Sequence, residues 1–365
     1  MIDFTSALYL GMRHPHRSLR PWTELTTGRP AALESPQEVE HLARQLARLL
    51  GCERATLGTS TLHLFWDLFE VLARDRIRIY TDAGAYPIAR WGIERVAARG
   101  VETTDFQIHD PAALEGLLDQ DSGSGFRPVV VTDGLCPGNG RAAPLPEYLR
   151  LVQAHSGYLV VDDTQALGIL GHGPGPNVPY GAGGAGTPAW YGIDGSELVV
   201  ASSLAKGFGA PLAVLAGNAE LISRFERLSS IRTHSSPPSL ASISAGERAL
   251  ALNASEGDDL RRRLLRLVHQ FREHLRQLGL SSSGGIFPVQ TLNPIPGLGM
   301  RRLHSGLLAR GVKTVLRRAR NGWEARLSFL ITTLHTPADI GGGITAVQTA
   351  RALAPGRRQS SLIET

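Results

Sequence analysis

Apolar positions along this chain follow two rhythms. Val39, Leu42, Leu46, Leu49 and Leu50 recur every three to four residues, the repeat that gathers side chains on one face of a helix. Just ahead of them, Ser35-Pro36-Gln37-Glu38 reads as a capping box with proline at the first helical position, and Gly51 marks the helix end. Beyond Gly51, short β-rich runs at Ile77–Thr81, Val101–Ile108, Val129–Thr132, Tyr158–Asp162, Leu198–Ser202 and Ala213–Ala216 alternate with helical stretches. That alternation predicts an α/β architecture, a mainly parallel sheet covered by helices. From Arg224 the pattern changes to long arginine- and leucine-rich helices, seen in Gly246–Leu252 and Asp258–Leu278, followed by short strands at Ile286–Leu292 and Ala325–Thr332. We therefore expect an N-terminal arm and helix over 1–45, a large α/β domain over 46–230, a smaller C-terminal α+β domain over 231–355 and a fraying tail from Gly356. Gly171–Gly195 is too long and too rich in glycine and proline for a tight connection. It reads either as a mobile loop or as an ordered one that covers a site or a partner subunit.

Composition narrows the function classes. With 42% hydrophobic and 19% charged residues over 365 positions, the chain can bury a large core. No apolar run approaches the roughly 20 residues of a membrane-spanning helix, and Met1–Arg20 is too broken by charge and proline for a secretory signal. The expected place is the cytoplasm, with no membrane partner. Cys52 and Cys136 are too few for a disulfide framework and lack zinc-site spacing, so no metal is expected. The net charge of +5 is modest, and the arginine clusters at Arg261–Arg263, Arg301–Arg302, Arg317–Arg318 and Arg357–Arg358 are scattered. They suit solvated helix faces or an anionic small substrate better than nucleic acid, which calls for a basic stripe with a reading element. The chain contains just two lysines, Lys206 and Lys313. A lysine kept among so many arginines invites a chemical reason, although codon bias would give the same composition.

In an open α/β sheet, ligands sit beyond the carboxyl ends of the strands. Two such ends stand out. Val160-Val161-Asp162-Asp163-Thr164-Gln165 delivers paired carboxylates from an apolar strand, and Ala201–Gly209 delivers hydroxyls and then Lys206. An acid, a lysine and hydroxyls at neighbouring strand ends suit a cofactor with a pyridine nitrogen, an aldehyde and a phosphate. Taken singly, Asp162 reads equally as a helix cap, Lys206 as a surface lysine and the hydroxyls as turns and caps.

These residues resemble the α-oxoamine synthases, fold type I (aspartate aminotransferase-like) pyridoxal-phosphate enzymes. The resemblance runs from about Ser35 to about Ile340. It is carried by Thr132-Asp133-Gly134 followed by Ala143-Pro144-Leu145-Pro146, then Val160–Gly171, Ser203–Gly209 and Ser236-Pro237-Pro238. It implies pyridoxal 5'-phosphate as cofactor, held as a Schiff base on Lys206, which would also move the proton at the substrate Cα. Asp162 would pair with the pyridinium nitrogen, and Asp133 belongs to the cofactor-binding set. Ser60 and Thr61 fall at the phosphate-binding turn, at a helix start whose free N–H groups favour an anion. Ser203 would add a hydroxyl, and Ser235 and Ser236 would reach a neighbouring subunit's site, which implies a homodimer with shared active sites.

Three departures touch the substrate side. Tyr86 stands where the family has a ring-stacking histidine. Gln165 stands where it has a histidine three residues after the pyridine aspartate, and can donate a hydrogen bond but not titrate near neutrality. The family's Arg-x-Arg strand becomes Arg326-Leu327-Ser328, so one arginine associated with the substrate carboxylate is missing, and Arg317 or Arg318 is a candidate to replace it. The preferred reading is condensation of an amino acid with an acyl thioester, on coenzyme A or an acyl carrier. Transamination, an aldol-type or lyase reaction, and a non-catalytic cofactor-binding role stay open, because fold and cofactor do not settle the reaction.

Overall fold

Valine-rich strands with both faces covered build the core of the larger of two compact units. The computed structural model describes residues 1–136, 140–318 and 325–352; the tail from Gly356 lies outside the described residues. Two compact units emerge, one from Met12–Cys136 and Ala142–Arg261, the other from Met1–Gly11 and the described residues within 137–141 and 262–365.

The larger unit holds a seven-stranded sheet in the spatial order Arg54–Gly58, Ala213–Gly217, Leu198–Ser203, Tyr158–Asp162, Arg127–Asp133, Ile77–Asp82, Glu102–Phe106. Ala213–Gly217 runs antiparallel to both neighbours, and the other neighbouring pairs are parallel. The expected mainly parallel α/β sheet is therefore present. Val129, Val130, Val131, Val160, Val161, Val199 and Val200 are fully buried, which is why these strands read as continuous apolar runs rather than alternating ones. Helices Thr61–Leu72 and Pro87–Ala97 pack so closely that a Cβ at Gly92 would come within 2.8 Å of the Phe65 carbonyl oxygen.

Several boundaries differ from the sequence reading, each for a local reason. Helix Gln37–Leu50 has Pro36, not Ser35, at its cap; the Ser35 hydroxyl turns back to donate to the Ala31 carbonyl, so the capping box is not formed. Gly51 closes that helix in the left-handed region, as expected. Strand Arg54–Gly58, absent from the sequence reading, has little β pattern of its own and takes its register from Ala213–Gly217. Gly246–Leu252 and Asp258–Leu278 are parts of one helix, Leu240–Gln277. The glycine-rich stretch is folded rather than loose. His172 bridges Ala182, the Gly171 amide donates to the Tyr180 carbonyl, and a short helix forms over Thr187–Tyr191.

In the smaller unit a four-stranded antiparallel sheet runs in the order Ser282–Ser283, Val289–Leu292, Ala325–Leu330, Val315–Arg318. The second strand starts at Val289 because Pro288 has no N–H for a ladder. Its core is aromatic: the Phe329 ring lies 5.2 Å from Phe4 and 5.0 Å from Phe271.

Candidate active site

Three neighbouring parallel strands of the larger unit each end on a buried aspartate: Asp82, Asp133 and Asp162. Asp133 and Asp162 are directly paired in register. Each carboxyl organises the chain that follows it. Asp162 Oδ1 accepts from the Thr164 amide at 3.0 Å, and Thr164 Oγ1 accepts from the Ser203 amide at 3.0 Å. Thr164 thereby ties the end of the aspartate strand to the end of the strand that leads to Lys206. Asp133 Oδ1 accepts from the Tyr86 amide at 2.9 Å. Asp82 accepts from the Gly84 amide at 2.6 Å, the His109 amide at 3.0 Å and the Tyr148 hydroxyl at 3.2 Å, which shapes the turn leading to Tyr86.

Lys206 sits in the turn after Leu198–Ser203, half-buried, with Nζ 6.0 Å from the centre of the Tyr86 ring. His14 Nε2 donates to the Phe208 carbonyl at 2.8 Å and holds the far side of that turn. Burial pushes the Asp162 and Asp133 carboxyls up, with Asp162 adding to the effect on Asp133, and Lys206 draws both back down. Burial in turn pushes the Lys206 ammonium down against the pull of Asp162 and Asp133. A lysine whose neutral amine is made accessible beside a carboxylate is a nucleophile and a proton carrier in one place.

The hydroxyl groups divide. Ser60 caps helix Thr61–Leu72, its Oγ accepting from the His63 amide, and Thr61 is the first helical residue. Ser203 Oγ accepts from the Ala205 amide. Ser235 donates to the Ile231 carbonyl at 2.7 Å, and Ser235 and Ser236 line a small pocket together with Thr59 and His63 of the Ser60 turn. Gln165 is half-buried in the turn after Asp162. Arg317 and Arg326 are exposed register partners on the antiparallel strands of the smaller unit, and Arg318 closes the first of those strands. Ser328 is buried, its hydroxyl sharing a 2.8 Å hydrogen bond with that of Thr291. The position offers a neutral, internally paired group.

Asp163 behaves differently from its neighbour. It is fully buried, and its Oδ2 accepts from the Thr187 amide at 2.9 Å. Burial, reinforced by Asp162 and opposed by hydrogen bonding to Thr187, raises its carboxyl to about 7. Sequence reasoning gave a role to Asp162 alone of the pair, left Asp163 without one, and passed over Asp82, Thr164 and His14. A signal for Asp82 was present, since Tyr80-Thr81-Asp82 repeats the strand-then-aspartate pattern of Asp133 and Asp162. His14 carried none, because its contact spans 194 positions.

A family model for aminotransferase class I and II matches residues 20–337. An 8-amino-7-oxononanoate synthase from Pseudomonas syringae pv. syringae is 28% identical over 344 residues, 92% of this chain and 75% of that protein. Among solved structures, the chain is similar to a serine palmitoyltransferase from S. paucimobilis with bound PLP–myriocin aldimine, with a TM-score of 0.81 and 17% identity, covering 96% of this chain and 87% of that one. It is likewise similar to an 8-amino-7-oxononanoate synthase from Francisella tularensis, with a TM-score of 0.74 and 17% identity over 96% of this chain and 98% of that one.

Proposed function

We propose that this chain, which belongs to the aminotransferase class I and II family, carries pyridoxal phosphate on Lys206 Nζ and condenses an amino acid with an acyl thioester. The observation that carries the reading is the buried Asp162 carboxylate at a strand end, tied through Thr164 to the strand leading to Lys206. Burial disfavours the charged form of Asp162, so a cationic pyridine nitrogen opposite it would restore a favourable pair; the residues fit the group. When bound, the cofactor withdraws electrons from the substrate Cα and makes a carbanion accessible there.

The chain's own residues do the rest. Lys206 accepts and returns the Cα proton, its ammonium already destabilised by burial. Asp162 keeps the ring nitrogen protonated. The Tyr86 ring, 46% exposed, offers a flat face for stacking, and Asp133 fixes that residue's backbone. Gln165 donates to the ring oxygen. The N-terminus of helix Thr61–Leu72, with Ser60 and Thr61, receives the phosphate together with Ser203. Ser235 and Ser236 act in a second copy's site, so the working form is a homodimer. Arg317, Arg318 and Arg326 are the residues proposed to meet the substrate's anionic group.

The test is the visible absorption spectrum of the purified protein beside Lys206→Ala, with amino acids titrated in and coenzyme A release followed on addition of acyl thioesters. We expect a band that depends on Lys206 and shifts with one amino acid, thioester-dependent release, and a loss of turnover of at least about 10⁴-fold in Lys206→Ala. A colourless protein in the presence of pyridoxal phosphate overturns the cofactor assignment. Turnover with a keto acid and no thioester makes the reaction transamination instead.

A further inference from the structure

The glycine-rich segment is held at both ends by buried polar groups of the larger unit. At its far end, Asp163 accepts from the Thr187 amide, and a Cβ at Gly186 would stand 1.8 Å from Asp163 Oδ2. At its near end, the Gly168 amide donates to the Gly184 carbonyl at 2.8 Å, and the Gly168 carbonyl accepts from Arg261 Nη1 at 2.9 Å. Arg261, on helix Leu240–Gln277, is only 2% exposed. Its fork also reaches Asn253 Oδ1 at 2.8 Å and Asp258 Oδ1 at 2.6 Å. Asn253 and Asp258 in turn grip the Gly183 carbonyl and amide. Gly257 leaves room for this cluster, since a Cβ there would lie 2.5 Å from Asn253 Oδ1.

What rests on this fixed backbone is the turn that bears Lys206. A Cβ on Gly207 would come 2.3 Å from the Leu167 carbonyl oxygen and 3.2 Å from Gly168 Cα. Backbone meets backbone there, with no side chain between to absorb a shift. We propose that Arg261 is a positioning residue for Lys206: by fixing Gly168 from the helix side, it sets the floor on which the Lys206-Gly207 turn lies. The glycine-rich segment is thus a brace behind the reacting amine, and the assignment of Lys206 as that amine rests on the function proposed above. Arginine suits the task because its planar fork holds a carbonyl, an amide oxygen and a carboxylate at once, which a lysine ammonium does not reproduce.

Competitive acetylation of the full chain, after hydroxylamine has freed Lys206 from any bound aldehyde, tests the brace without turnover. The only other lysine, Lys313, is exposed and serves as the internal reference. Labelling is followed across pH by mass spectrometry in the unsubstituted chain and in Arg261→Lys, Asp258→Asn and Gly207→Ala. We expect Arg261→Lys and Gly207→Ala to move the Lys206 labelling midpoint to higher pH, toward the ordinary lysine value, because a displaced turn admits water beside the amine. The milder Asp258→Asn should move it less, and Lys313 should be unchanged in all. Superimposable Lys206 profiles in variants that keep the native circular dichroism overturn the proposal; should Arg261→Lys not fold, Gly207→Ala and Asp258→Asn decide it. Borohydride trapping of pyridoxal phosphate on the unsubstituted chain is the separate arm. Failure to label Lys206 there removes the cofactor reading, while the acetylation profiles still decide whether Arg261 sets the position of the turn.

Discussion

Buried polar groups are handled in opposite ways by the two units. In the smaller one they are paired internally. Gln290 donates to the Gly285 and Phe287 carbonyls and accepts from Arg272 and Ser282. Thr291 pairs with Ser328. His335 accepts from the Thr332 amide on Nδ1 and donates to the Asp3 carbonyl from Nε2, its ring stacked 4.4 Å from that of Phe4. In the larger unit, burial pushes carboxyls on adjoining strand ends and an ammonium in opposite directions, Asp133, Asp162 and Asp163 up and Lys206 down, whereas the imidazole so shifted in the smaller unit, that of His335, has both ring nitrogens hydrogen-bonded within it. Satisfied networks specify packing and cost little once complete. Several groups shifted in this way and gathered at neighbouring strand ends are the pattern that makes a candidate site.

The largest test of that contrast sets core against site. Phe329→Ala empties a fully buried place between Phe4 and Phe271 and should cost about 3–5 kcal/mol in urea unfolding. Asp162→Asn should lower kcat by about 10²–10³-fold while leaving the unfolding midpoint unchanged or raised, because the amide still accepts from Thr164 and a buried charge is removed. If Asp162→Asn destabilises the protein as much as Phe329→Ala does, Asp162 is structural and the contrast fails.

Next comes Asp163, whose carboxyl is raised from 3.8 to about 7. The folded chain holds this proton more tightly than the unfolded one, so the stability it contributes is complete below pH 4 and is lost as pH rises through about 7. Asp163→Asn should therefore gain stability relative to the unsubstituted chain between pH 4 and pH 8, by at most about 4 kcal/mol. A difference independent of pH would mean that Asp163 is not buried as described.

The smallest effect belongs to His335, which burial holds below its ordinary value of 6.5. Its depressed ionisation makes the sign opposite: its contribution is intact above pH 6.5 and falls away as pH drops. Relative to His335→Gln, the unsubstituted chain should lose stability in chemical unfolding as pH falls from 7 to 5; equal slopes in the two would show that the imidazole is not held as described.

Much of this arrangement was legible in the chain itself. Apolar runs announced strands of a parallel sheet covered by helices, and a lysine among arginines, with Asp162 at a neighbouring strand end, pointed to the candidate site. The capping box at Ser35 misled because a Ser-Pro-Gln-Glu string fits two geometries, and the Ala31 carbonyl captured the serine hydroxyl. The single helix Leu240–Gln277 looked like two because its polar run from Asn253 to Asp259 has no local reason to stay helical. Its reason is Gly183 and Gly168, some 70 to 90 positions away, which occupy Asn253, Asp258 and Arg261.

By itself the sequence determined the alternation of most strands with helices, the α/β class and the residue types at the strand ends, because periodicity and β-branching act over a few neighbours. Only the tertiary structure showed what each carboxyl of the pair holds, Asp162 tied to the lysine strand through Thr164 and Asp163 gripping the Thr187 amide. It alone brought Arg261 behind Lys206. Both outcomes depend on which backbone groups the folded chain leaves within reach, and hydrogen bonds of 2.9 Å leave no local trace in residues 24 or 93 positions apart.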